Sequence, residues 1–99
     1  MSFVLIGGYE RMYREYIQVG KELGHKIKVF TQLPAQFAKS IGMPDAMLIF
    51  TSAVSHKMMF IAEREARRKQ IPIVKSHCSS GAALKKSIDE IKMLLETCA

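Results

Sequence analysis

Four short apolar runs alternate with four stretches of helical spacing along the whole chain, and this alternation constrains the fold more than any other feature. The runs are rich in β-formers and read SFVLIG (2–7), KIKVFT (26–31), AMLIFT (46–51) and IPIVKS (71–76). The helical stretches cover residues 9–23, 33–42 and 55–69, and a last helix carries the apolar stripe Leu84, Ile88, Ile91 and Leu95. Right-handed crossovers through helices return each strand to one parallel sheet. We therefore predict an α/β fold with a four-stranded parallel sheet, in the order 2-1-3-4, and two helices on each face.

Length and composition bound the organisation of the chain. Its 99 residues, 48% of them hydrophobic, suffice for one core, which predicts a single ordered domain over residues 1–99. No apolar run approaches the roughly 20 residues of a membrane helix, and the first residues lack the pattern of a signal peptide. We expect a cytoplasmic protein with no membrane contact, in which Cys78 and Cys98 remain thiols.

The formal charge of +6 favours anionic partners, which include nucleic acid, acidic protein surfaces and phosphorylated small molecules. Part of the excess lies in Arg67, Arg68 and Lys69. These cations close the third predicted helix, where they offset the negative end of its dipole. That run therefore predicts a helix terminus rather than a binding site.

Three polar loops follow strands one, three and four and are predicted to meet at the carboxyl edge of the sheet, which we call the rim. In parallel α/β sheets ligands bind at this edge, near the point where the winding direction reverses. Three helices also begin there, and their unpaired N–H groups favour an anion. Serine hydroxyls in these loops can either cap the helices or bind ligand oxygens. The predicted ligand-binding residues are Gly7, Gly8, Arg11, Ser52, Ser55, His56, Lys57, Ser76, His77, Ser79, Ser80 and Gly81.

Several longer stretches resemble a known family. They are VLIGGYERMYREY at the first strand and LIFTSAVSHKMMFIAEREARRKQIPIVKSHCSSGAAL through strands three and four. The paired glycines, the Ser-His pair that opens helix three and the serine-rich turn that opens helix four are the most specific parts. Over residues 3–91 the chain resembles the bacterial domain-of-unknown-function family DUF2325. The resemblance implies a small Rossmann-like or flavodoxin-like domain and brings no established activity with it.

The sequence GGYERM gives only a weak dinucleotide signal. Met12 stands where a third glycine would allow close helix packing, and strand two ends without the acidic residue that holds a ribose. NAD is therefore not the expected cofactor.

Cysteine-based catalysis and metal binding are two further hypotheses for the loop SHCSSG. A thiol at a helix N-terminus is acidified, but this loop follows strand four, and Leu84 stands where a cysteine phosphatase places its arginine. Imidazole and thiolate from His56, His77 and Cys78 can bind zinc or haem iron, and a basic rim suits haem propionates better than a divalent cation. Haem binding through these three residues is therefore an alternative function, in which haem is favoured over a metal ion, and a non-enzymatic role is favoured over catalysis.

Tyr9, Tyr13 and Tyr16 can stack on bases, which together with the basic charge keeps nucleic acid as an alternative partner. Their helical spacing instead favours packing against the sheet. Two open sheet edges and helices rich in Met and Ala predict a homodimer. The sequence thus favours a non-enzymatic domain that binds or senses a small anionic or phosphorylated ligand.

Overall fold

The computed structural model describes residues 1–97, so Cys98 lies outside the described residues. Its strands are β1 (Ser2–Gly7), β2 (Lys26–Phe30), β3 (Ala46–Phe50) and β4 (Ile73–Ser76). Its helices are α1 (Tyr13–Glu22), α2 (Phe37–Ile41), α3 (His56–Lys69) and α4 (Gly81–Thr97). Short 3-10 turns, Glu10–Met12 and Thr51–Ala53, follow β1 and β3.

The four strands form one parallel sheet in the order β2-β1-β3-β4, as predicted. β1 pairs with both β2 and β3, and β4 pairs with β3 alone, so β2 and β4 are the edges. Every residue of β3 is buried, and β3 lies between β1 and β4 in the sheet. A strand covered on both faces has no wet side, and this explains its unbroken apolar sequence.

Alternate strand residues point to opposite faces of the sheet, and each face carries two helices. Phe3 and Leu5 pack with the buried residues of α1 and α4. Val4 and Ile6 pack on the other face with those of α2 and α3. The buried stripe of α4 includes Leu84, Ile88 and Ile91, with Leu95 partly buried at its end. The predicted layering is confirmed.

Helix boundaries differ from the sequence prediction where the local backbone is irregular. α1 begins at Tyr13 rather than at residue 9, because residues 10–12 form a 3-10 turn. α2 begins only at Phe37, because Gln36 before it adopts a left-handed conformation with φ of 55°. Tyr13 is exposed, so the prediction that it packs against the sheet is wrong.

The C-terminal end of α3 carries the basic run as the sequence predicts. Arg68 and Lys69 contact the buried carboxylate of Glu65, with N–O distances of 2.8 and 3.5 Å. Gln70 follows in a left-handed conformation and ends the helix. Within residues 1–97, no helix is both long enough and apolar enough to span a bilayer.

Candidate functional site

The paired glycines at the end of β1 let the following loop pack closely on the loop after β3. Gly7 and Gly8 have φ of 95° and 90°, a region that side chains rarely adopt. The Gly8 N–H donates to the Ala53 carbonyl at 2.9 Å. A Cβ atom added at Gly7 would lie 2.9 Å from the same oxygen. The structure thus gives the two glycines a role in loop packing.

The Tyr16 hydroxyl joins the loop after β1 to the loop after β4. Tyr16 is fully buried, and its hydroxyl donates to the Ser79 carbonyl at 2.6 Å while accepting from the Tyr9 N–H at 3.3 Å. Its ring packs edge-on against Phe50, with centroids 5.6 Å apart. Burial raises the pKa of this phenol above its usual value. The helical spacing of Tyr16 predicts its burial, but no local pattern reveals a partner 63 residues away.

Two of the rim serines are helix caps. The Ser55 hydroxyl accepts from the Met58 N–H at the start of α3, and the Ser80 hydroxyl accepts from the Ala83 N–H at the start of α4, both at 3.1 Å. Each hydroxyl satisfies one of the donors that a helix leaves free at its first turn. Of the two roles that the sequence left open for these residues, the structure shows capping.

The other rim serines bind within and between the loops. Ser52 donates to the His77 carbonyl, and its oxygen lies 3.3 Å from that of Ser79. Ser76 donates to the Cys78 carbonyl at 3.0 Å. These bonds tie the turn after β3 to the loop after β4, so the hydroxyls already have protein partners.

A carboxylate lies beside the N-terminus of α4. A Cβ atom added at Gly81 would sit 3.3 Å from Oε1 of Glu15, which projects from α1. The positive end of the α4 dipole therefore faces an anion supplied by the protein itself. Sequence reasoning did not identify Glu15, because the contact depends on how α1 packs against α4.

The predicted haem or metal ligands all lie on the surface of the rim. His56 is the first residue of α3, His77 and Cys78 follow β4, and all three are exposed, as is Lys57. In the part of the chain that the structure describes, no three His, Cys, Asp or Glu side chains come together in a group that could hold a metal ion. His56, His77 and Cys78 therefore do not form a three-ligand centre, and haem binding through them stays a prediction.

A pocket of about 420 Å³ opens at the rim beside the end of β2. Its walls come from the 3-10 turn after β1, the first turn of α1 and the residue that follows β2. The lining residues are Glu10, Arg11, Tyr13, Arg14 and Thr31. Of the residues predicted to bind the ligand, only Arg11 lines this pocket.

Two guanidinium groups in this rim pocket lack an acidic partner. Among residues 1–97, no carboxylate oxygen lies within 4 Å of Arg11 or Arg14. Glu10 accepts a hydrogen bond from Gln32 at 2.9 Å, and the Arg11 guanidinium lies 5.2 Å from the ring centroid of Tyr9. The pocket thus presents two cations and one carboxylate. Arg14 follows Arg11 by one helical turn, and this spacing is the sequence signal that could have identified it.

Comparison with known proteins supports the fold and identifies the family. The chain is similar to a de novo designed Rossmann fold protein, with 20% identity and a TM-score of 0.62 over 94% of this chain and 99% of the other. No curated protein matches the chain. Residues 2–91 match the model of a family described as "Uncharacterized protein conserved in bacteria (DUF2325)". The chain, a small Rossmann-like domain, belongs to the DUF2325 family.

Proposed function

We propose that this protein is a non-enzymatic binding domain that recognises a small anionic, phosphorylated ligand in the rim pocket. The observation that supports the proposal is the pair of guanidinium groups, Arg11 and Arg14, that line one pocket without an acidic partner among the described residues. Arginine forms paired hydrogen bonds with phosphate oxygens, and such charged bonds are about twice as strong as neutral ones. The net charge of +6 adds a long-range attraction for the same ligands.

We assign the ligand to the β2 side of the rim because the other predicted binding residues already have partners within the chain. The hydroxyls of Ser55 and Ser80 cap their helices, and Glu15 lies at the start of α4. A ligand phosphate there would displace existing partners. Arg11 and Arg14 require no such displacement, which favours the β2 side of the rim.

The rim groups support binding rather than catalysis. Within residues 1–97, no hydrogen bond links a histidine side chain to a serine hydroxyl or to Cys78. A nucleophile in an active site is normally activated by a base within hydrogen-bonding distance. The serine hydroxyls instead contact backbone groups or one another.

Exposed tyrosines favour nucleic acid as a second candidate. Tyr9 and Tyr13 each expose 44% of their surface, so the prediction that they pack against the sheet is wrong, whereas Tyr16 is buried as predicted. Aromatic rings beside arginines bind single-stranded nucleic acid by stacking and charge. The two candidates differ in salt dependence, because several phosphate contacts make nucleic-acid affinity fall steeply with salt.

Calorimetric titration with inorganic pyrophosphate tests the proposal. We expect Arg14→Ala to weaken binding by roughly tenfold or more, because a charge-assisted hydrogen bond contributes about 1.5–3 kcal/mol. Lys86→Ala on α4 is the control for charge, since the exposed Lys86 also lacks a carboxylate within 4 Å among the described residues and the loss of one positive charge is the same. Equal losses in both variants, or no binding by the wild type at low salt, would contradict a pyrophosphate site at Arg14. Tighter, strongly salt-dependent binding of an oligonucleotide would support the second candidate.

A further inference from the structure

The outer edge of β4 carries backbone groups that have no partner among the described residues. The Met47 N–H donates to the Pro72 carbonyl at 2.8 Å, and Met47 lies opposite Ile73 in the register of β3 and β4. In a parallel pair both backbone groups of a residue point to the same side, and they alternate along the strand. The N–H and C=O groups of Ile73 and Lys75 therefore point away from the sheet.

We propose that β4 pairs with β4 of a second copy of this chain, in antiparallel orientation, to form a continuous eight-stranded sheet. A two-fold axis midway between the Val74 residues of the two copies places Ile73 opposite Lys75 of the second copy, and Lys75 opposite its Ile73. Each of these two residue pairs exchanges two hydrogen bonds. The outward groups of both strands are then all satisfied, as expected of a symmetric interface that uses one surface twice.

The charges at the two sheet edges favour β4 for this pairing. Lys75 contacts Glu63 on α3, with 2.6 Å between Nζ and Oε1, so its charge is compensated within its own chain. On the β2 edge Lys26 and Lys28 are exposed, and neither has a carboxylate within 4 Å among residues 1–97. Uncompensated lysines on an edge strand oppose pairing with a second copy.

A groove on α3 lies on the same side as the β4 edge and extends the surface. Its lining consists of Phe60, Glu63, Arg64 and Arg67, and Glu63 is the residue that contacts Lys75. Phe60 is 65% exposed, and aromatic and arginine side chains are enriched at the centres of interfaces. The two-fold axis is perpendicular to the sheet, so the grooves of both copies lie on one face and run antiparallel. Each groove carries the carboxylate of Glu63 and the guanidinium groups of Arg64 and Arg67, so two antiparallel grooves offer opposite charges to each other.

Analytical ultracentrifugation of the full chain, with the variant Lys75→Pro, tests this interface. Proline removes the outward N–H of residue 75 and keeps the bonds to β3, so we expect the dimer dissociation constant to rise by about tenfold or more. Lys75→Ala is the matched control, because it removes the contact with Glu63 but keeps the N–H. We expect Lys75→Ala to remain dimeric at concentrations where Lys75→Pro is monomeric.

Hydrogen exchange on the unmodified protein gives a second readout that does not depend on how Lys75→Pro folds. The Ile73 and Lys75 amides should exchange at least about tenfold more slowly at concentrations where the chain is dimeric than at high dilution, because pairing protects them. A wild type that is monomeric at several hundred micromolar would overturn the proposal. A dimer would do so equally if these two amides exchanged at the same rate at every concentration, or if Lys75→Pro and the wild type dissociated alike.

Discussion

Replacing Tyr16 by Phe removes a hydroxyl that connects the loops after β1 and β4. In the folded protein this hydroxyl donates to the Ser79 carbonyl at 2.6 Å and accepts from the Tyr9 N–H at 3.3 Å. The ring stays, so its packing against Phe50 and the other core residues is retained. The variant therefore isolates the hydrogen bonds from the hydrophobic contribution of the side chain.

The expected cost follows from the two partners that lose the hydroxyl. A buried carbonyl without a donor costs about 1–3 kcal/mol, and the longer bond from Tyr9 adds at most about 1 kcal/mol. We expect the free energy of unfolding, measured by urea denaturation, to fall by about 1–4 kcal/mol. For a chain of this length the thermal midpoint should fall by at least about 4 °C.

Tyr13→Phe provides the matched control for this experiment. Tyr13 lies in the same helix and is exposed, and within residues 1–97 its hydroxyl makes no hydrogen bond. It should change the unfolding free energy by less than about 0.5 kcal/mol. If both variants have the stability of the wild type, then the hydroxyl does not hold the two loops together.

The pH dependence of stability gives an independent check of Tyr16. Burial raises the pKa of its phenol in the folded state above the ordinary value of 10.0. The folded state therefore holds this proton more tightly than the unfolded state. The resulting stabilisation is fully present below pH 10 and is lost as the pH rises through the folded pKa. We expect the unfolding free energy of the wild type to decline more steeply above pH 10 than that of Tyr16→Phe.

Four further substitutions test the packing and charge of the molecule. In thermal unfolding, Gly7→Ala should destabilise by about 2 kcal/mol or more, because φ is 95° and the Cβ would meet backbone oxygen. Gly81→Ala should stabilise by up to about 1 kcal/mol, because the added methyl group meets only the end of the exposed Glu15 side chain, which can move by a few tenths of an ångström. The hydrogen bond from Arg68 lowers the pKa of Glu65 below 4.5. The stabilisation from this carboxylate is therefore lost as the pH falls through the folded pKa. The unfolding free energy of Glu65→Gln should decline less steeply in acid than that of the wild type. Glu15→Gln removes the carboxylate beside the N-terminus of α4, so added sulfate should raise the thermal midpoint of this variant more than that of the wild type. An equal rise in both proteins would show that Glu15 does not occupy this anion position.

Short-range patterns were enough to predict the layers of this fold. The unbroken apolar sequence of β3 signals a strand buried on both faces, and Ser55 signals the start of α3. The predicted helix boundaries were wrong where a residue adopts a conformation that its type does not predict. Gln36 is the clear case, because a left-handed glutamine has no signature in composition or spacing.

The candidate site was harder to predict because it depends on how α1 packs beside β2. The position of the loop after β1 identifies Arg11, but Thr31 follows a different strand and reaches the same pocket only in the folded chain. The contacts of the rim serines also differ in whether the local sequence predicts them. Ser80 caps the helix that follows it in sequence, whereas Ser52 contacts a carbonyl 25 residues away.

The contact between Glu15 and Gly81 explains why a rim with three helix N-termini need not bind its ligand at all three. A helix N-terminus attracts any anion, and a carboxylate held 3.3 Å from the Cβ position of Gly81 serves as well as one from solution. Ser55 and Ser80 likewise satisfy the first turns of α3 and α4 from within the chain. Cations that lack an acidic partner among the described residues are then the candidates for binding an external anion. At this rim Arg11 and Arg14 share one pocket, and for this reason the β2 side carries the proposed ligand site.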